Sequence, residues 1–310
     1  MTHIIAVNKR QLIIGYSYVL IGALSFSAKA VLIKLAYGYS NQLDAITLMM
    51  LRMTIALPFF LIMAVWSAQS NPHLSSRLSR GDNLMIIALG VLGYYLSSWL
   101  DFSGLHYVSA GLERLILFLY PTFVVLFSAL WQKQAINLHQ AIALILSYAG
   151  LSLVFIHTLS LSARSYELYL GSAFILCSAV SFAGFLLGSG LMIKRIGSMR
   201  FTAYSMSVAC VMTAIHFFIS HDKQALNLPV QVYYLALIMA IFSTVLPAFI
   251  MNAGIKRIGT NSAAILSSIG PIGTLTLAYF MLGEAITQVQ IIGTALVLLG
   301  ICVLSQKKNE

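Results

Sequence analysis

The sequence predicts an all-α integral membrane protein, with ten transmembrane helices arranged as two inverted five-helix repeats. Three observations predict it: the composition, the spacing of the apolar blocks, and the overlay of one half of the chain on the other. Of 310 residues, 60% are hydrophobic and 8% charged, and the mean hydropathy is +0.91. An ordinary soluble domain is roughly 25% charged. No single soluble core hides this much apolar surface, so lipid must cover part of it.

A helix needs about 20 apolar residues to cross a hydrocarbon core of about 30 Å. Ten blocks qualify: 12–35, 43–66, 83–100, 107–130, 135–157, 168–193, 200–220, 230–252, 259–282 and 286–305. The first is basic-flanked, but its apolar run is too long for a signal peptide and no small-residue cleavage site follows, so it reads as a retained span. Every connection is short and no soluble domain remains. Cys177, Cys210 and Cys302 fall inside apolar blocks with no paired spacing and read as core-filling residues.

The net charge of +10 does not indicate nucleic acid, which needs Lys and Arg gathered on one solvated face. Here they come in ones and twos between hydrophobic blocks. Lys9, Arg10, Arg77, Arg80, Lys133, Lys194, Arg195, Arg200, Lys256, Arg257, Lys307 and Lys308 fall on the side that carries both termini. Only Arg164 and Lys223 fall on the other. By the positive-inside rule, both termini are expected in the cytoplasm; the plasma membrane, as a bacterial inner membrane, is the expected location. Trp66, Trp99 and Trp131 sit at predicted helix ends, as an interfacial aromatic belt would.

A shift of 150 overlays the end of one half on the end of the other. Gly104 meets Gly254, Pro121 meets Pro271, Ala135 and Ile136 meet Ala285 and Ile286, and Gly150 meets Gly300. A shift of 156 overlays the stretch from Gly15 on that from Gly171. The halves divide as residues 1–157 and 158–310. With five spans each, the second copy must enter the membrane from the opposite side, the architecture that permits alternating access about a central site.

The block "RIGTNSAAILSSIGPIGTLTLAYFMLGEAITQVQIIGTALVLLGICVL" resembles the second repeat of the EamA-type drug/metabolite transporter superfamily. "LRMTIALP" in the second span and "GLERLILFLYPTFVVLFS" in the fourth carry the same resemblance. The first repeat departs from it where Gln132, Lys133 and Gln134 replace the "LGE" of Leu282 to Glu284. The resemblance implies cytoplasmic termini, a central cavity with helices 5 and 10 peripheral, and export or exchange of small metabolites. Amino acids, nucleosides, drugs and sugar phosphates are among the substrates it allows.

Four basic residues are left inside spans: Lys29, Lys34, Arg52 and Arg114; Glu113 stands beside Arg114. A charge near the bilayer centre costs at least about 2.5–3.5 kcal/mol, so it normally faces a cavity or a partner. Lys34 reads as a snorkelling interface residue, and Lys29 as either snorkelling or cavity-facing. Arg52 occupies the place of an arginine common in the family's second span, with a structural or a binding role. Glu113 and Arg114 leave the helix about 100° apart, so each is expected to find a partner on another helix, Glu113 on Arg52 or Lys29. Inside the spans Lys29, Arg52 and Arg114 stand against Glu113 alone, with Asp44 and Asp101 near the outer ends of spans 2 and 3 as further counter-charges. The in-span excess of cations points to a substrate with an anionic group that docks near Arg114 or Arg52. Glu113 reads as a structural ion-pair partner or as a proton-coupling carboxylate.

Tyr95 and Trp99 in span 3 and Tyr120 in span 4 read as cavity lining, with Asn252 and Ser267 on stretches that look like broken helices. His216 reads as an interfacial histidine. No GxGD pair, HExxH helix or serine–histidine pair at matching depth is present, so an enzyme is not expected, and no cofactor or metal site is read. A secondary transporter, most simply an exporter, is the expectation; a passive facilitator or channel-like permease is the alternative. The expected partners are a small-molecule substrate, membrane lipid, protons as coupling ion and a second copy in a homodimer.

Overall fold

The computed structural model describes residues 9–70, 78–131, 133, 136–161, 165–267 and 269–305. Among them the chain forms ten long helices, of which eight are long and apolar enough to span a membrane and two are shorter. The helices are α1 (Lys9–Tyr39), α2 (Ala45–Ser70) and α3 (Arg80–Gly104). The fourth, α4, is split into Ala110–Leu117 and Tyr120–Trp131, and α5 is Leu138–Leu161. The second half holds α6 (Ser165–Ile196) and α7 (Ser198–Ser220). Next comes α8, formed by Val230–Ala240, Ile241–Val245 and Leu246–Ser267. It is followed by α9 (Gly270–Leu282) and α10 (Gln288–Ser305). Lipid-facing positions stay apolar: Ile62, Leu130, Phe218, Ile219 and Phe280 are all exposed.

Where lipid is as apolar as leucine, helices associate through close backbone approach at small residues. A Cβ on Gly104 of α3 would lie 2.8 Å from the Gly171 carbonyl oxygen of α6. A Cβ on Gly254 of α8 would lie 3.1 Å from the Gly15 carbonyl oxygen of α1. These are one crossing made twice, since Gly15 corresponds to Gly171 and Gly104 to Gly254. Successive helices cross in alternate directions, so the α1–α8 crossing lies toward the termini and the α3–α6 crossing toward the other face. The α5–α10 pair repeats the logic: Gly150 abuts the Gly293 carbonyl and Gly300 that of Ala143, each offset by 150. These two helices pack chiefly on one another.

Irregularities repeat at the same offset. Val91–Leu96 in α3 and Ile241–Val245 in α8 are π-helical and begin at matching positions of the two repeats, 150 residues apart. Helix α4 breaks at Phe118 and Leu119 and resumes just before Pro121; α9 begins just before Pro271. A proline lacks its N–H and is tolerated in the first turn of a helix, so each marks a restart.

One boundary differs from expectation. Residues 253–258 were expected to link spans 8 and 9, but α8 continues through them to Ser267. Gly254 serves the α1 crossing rather than a turn. In the first repeat the corresponding loop ends at Ser109, whose side chain accepts from Leu112 N and starts α4. Position 259 holds glycine instead, so no serine cap starts a new helix there.

Candidate substrate and ion site between the repeats

Arg52 on α2 is 3% exposed. Its Nη1 donates to Thr244 Oγ1 at 3.3 Å, and its guanidinium carbon stands 4.8 Å from the centre of the Phe102 ring. Thr244 lies in the π segment of α8, where its hydroxyl donates to the carbonyl of Met239, five residues back. π-Bulges concentrate at functional sites because they re-aim a side chain without ending the helix. Nε and Nη2 of Arg52 have no hydrogen-bond partner among the described residues. No carboxylate there lies within ion-pair distance of it.

Next to Phe102 on α3 is Asp101, whose Oδ2 accepts from Lys29 Nζ of α1 at 2.6 Å. Arg114 is used differently. Its Nε donates to Thr274 Oγ1 at 2.9 Å and its Nη2 to the Phe26 carbonyl at 3.0 Å, tying α4 to α9 and α1. Glu113, fully buried, is 3.8 Å from Arg114 Nε, beyond hydrogen-bonding distance.

These contacts correct three expectations. Glu113 pairs with neither Arg52 nor Lys29, nor with any cation of another helix: its ion-pair contact is with its own neighbour Arg114, while Lys29 is taken by Asp101 and Arg52 faces Thr244 and Phe102. Asp44 does not offset the site: it caps α2, accepting from Ile46 N and Thr47 N, and meets His221 at 3.4 Å. Lys34 does not snorkel freely; its Nζ donates to the Val108 carbonyl at 2.9 Å. With Asp44 removed from the count, Lys29 and Arg114 balance Asp101 and Glu113, leaving Arg52 as the surplus cation. The corresponding second-repeat positions are Phe185, Met251, Ala263 and Ala264, so the ionic cluster belongs to one repeat alone.

The remaining sequence candidates fall into separate groups. Tyr95 hydrogen-bonds His216 Nδ1 at 2.8 Å, and Trp99 meets the same ring edge-on. The structure thus brings in His216, which the sequence pattern places at the interface; its one signal is a polar ring inside an apolar span. Tyr120 stands edge-on to Phe182, which stacks on Phe185, itself against Tyr94 and Phe201. Asn252 and Ser267 donate to carbonyls of their own helix, those of Ala248 and Ala263. Trp66 is exposed, whereas Trp99 is half-buried inside the bundle and not at a helix end. The side chain of Trp131 lies outside the described residues.

A further residue joins the repeats. Gly283 takes the left-handed conformation that closes α9, which glycine adopts at no steric cost. Glu284 is thereby aimed at α4, accepting from Ala110 N at 3.0 Å and Gly111 N at 3.4 Å. A carboxylate at a helix N-terminus satisfies free amides and complements the dipole. The matching Gln132 and Gln134 of the first repeat lie outside the described residues.

The profile of the EamA-like transporter family matches residues 13–156 and 169–306, one copy in each half. The chain belongs to the EamA-like transporter family. It is 33% identical over 293 residues to "Uncharacterized transporter YcbK" of Bacillus subtilis (strain 168), covering 92% of this chain and 90% of that one. "Uncharacterized transporter YyaM" of the same organism is 26% identical, covering 72% of this chain and 73% of its own length. A solved structure described as "Crystal structure of protein" shares the fold at a TM-score of 0.60 and 18% identity, covering 97% of this chain and 98% of the other. This EamA-like protein is therefore a multi-pass membrane transporter of a small molecule, not an enzyme.

Proposed function

We propose that this EamA-like transporter carries a small metabolite with an anionic group across the bacterial plasma membrane by alternating access. The halves 1–157 and 158–310 rock about a site at Arg52, with both termini cytoplasmic and export as the working direction. The observation that carries the reading is the free edge of Arg52. Its Nε and Nη2 lie along one side of the guanidinium and both lack a partner, while Nη1 is anchored by Thr244. That edge matches a carboxylate or phosphate through two parallel charge-assisted bonds. A buried cation without a counter-ion is costly, and an anionic substrate removes the cost.

Lys29 and Arg114, by contrast, are occupied by protein partners, so their part is to hold the field and the helices around the substrate. Tyr95 and Trp99 supply one aromatic wall and Tyr120 a second, separate one, with Asn252 and Ser267 as polar lining. The family resemblance supports the direction of transport; twelve basic residues on the terminal side against two opposite support the orientation.

The test is transport into vesicles holding the purified protein, using labelled carboxylates, phosphates, neutral metabolites and cations. Anions should move, and Arg52→Gln should slow them by about 10–100-fold, the worth of a charge-assisted pair. Arg52→Lys, which keeps the charge but loses the fork, should fall between. Movement of cations alone, or an Arg52→Gln rate equal to wild type, contradicts the reading. Accumulation against a gradient under an imposed pH difference separates an active transporter from a passive facilitator.

A further inference from the structure

Asp101 on α3 and Glu113 on α4 lie within electrostatic reach of one another, and each sits beside a cation, Lys29 Nζ at 2.6 Å from Asp101 and Arg114 Nε at 3.8 Å from Glu113. Both residues are almost wholly buried. Asp101 Oδ1 and both oxygens of Glu113 have no hydrogen-bond donor among the described residues. Three orphan acceptors in one buried place are costly, because each forfeits the water it left behind. The surrounding charges do not repair this. Facing the pair are Lys29 and Tyr37 from α1, Arg52 from α2 and Arg114 beside Glu113; α9 presents Thr274, which is neutral. Lys29 serves only Asp101 Oδ2, Arg114 points its Nε at Thr274, and the Tyr37 hydroxyl donates to the Phe102 carbonyl.

We infer that Asp101 and Glu113 form a carboxyl pair that binds one exchangeable proton, the coupling ion of the transport cycle. One proton from water turns two neighbouring carboxylates into a carboxylic acid donating to a carboxylate, which supplies the missing donor and removes the repulsion between like charges. The charge count then changes in a useful way. Without the proton, Lys29, Arg114, Asp101 and Glu113 sum to zero; with it, they sum to one positive charge beside Arg52. Proton and anion therefore favour each other's binding, and by linkage the effect is reciprocal. The two travel in the same direction, so outward transport is driven by the metabolite's own gradient.

This rests on the transport reading above for its role, while its test needs no substrate. Infrared spectra of the purified transporter in lipid, in neutral buffer, are compared between H2O and D2O. Wild type should show a protonated-carboxyl band that shifts on deuteration, and Glu113→Gln and Asp101→Asn should each abolish it. Should Asp101→Asn fail to fold, loss of the band in Glu113→Gln and its retention in Glu113→Asp decide the same question. No such band in wild type, or its survival in Glu113→Gln, overturns the pair. A band without anion transport would leave the proton site standing and refute the substrate reading instead.

Discussion

Gly104 and Gly171 touch backbone to backbone, and Gly254 and Gly15 repeat that contact on the opposite side of the membrane. A side chain at Gly104 would meet the Gly171 carbonyl at 2.8 Å and Ile175 Cγ1 at 2.5 Å, neither of which can yield without parting α3 from α6. Gly104→Val should cost about 1–3 kcal/mol, the usual penalty of overpacking, and lower the melting temperature in detergent. Gly190→Ala is the control: nothing lies within 4 Å of its Cβ, and an alanine there favours the helix by about 0.5–1 kcal/mol. Equal melting of Gly104→Val and wild type would refute the crossing.

Glu284 joins the second repeat to the start of α4. Glu284→Ala should cost about 0.5–2 kcal/mol, as loss of a helix cap does. Its local signature is faster hydrogen exchange at Ala110 and Gly111, with Glu284→Gln intermediate because its amide oxygen still accepts. Unchanged exchange at these two amides would show that the cap is not held in the membrane.

Lys29 and Asp101 form the ionic link between α1 and α3, 2.6 Å apart with Asp101 buried. Lys29→Met strands the carboxylate, and breaking a buried pair this way costs about 3–5 kcal/mol. The double change Lys29→Met with Asp101→Leu should recover much of that stability in unfolding experiments. It should not recover transport, since the acid of the proton pair is gone. A double variant no more stable than Lys29→Met would show that the two side chains do not depend on each other.

Much of this architecture was legible in the sequence because lipid leaves few choices. Apolar blocks of span length and the paired Gly and Pro positions followed from backbone satisfaction and close packing, which act locally along the chain. The presence of buried charges at Lys29, Arg52, Glu113 and Arg114 was legible for the same reason. Which charge meets which was not. Spacing along one helix cannot tell that Asp101 claims Lys29, that Asp44 is spent on its own helix cap, or that Glu284 reaches back 174 residues to Ala110. Those depend on how helices rotate against one another. The join between α8 and α9 misled for a subtler reason. Gly254 marks a helix crossing and not a turn, and the serine that starts α4 has no counterpart at 259.

The central claim is that the proposed site at Arg52 opens in turn to each side of the membrane. The direct measurement places one reporter thiol there, Thr244→Cys, in a chain whose three native cysteines are replaced, leaving Arg52 in place. Oriented vesicles are treated from one side or the other with a membrane-impermeant anionic thiol reagent. Labelling should proceed from both sides and slow when a transported anion is present. A thiol that reacts from one side only, or from neither, would contradict the account.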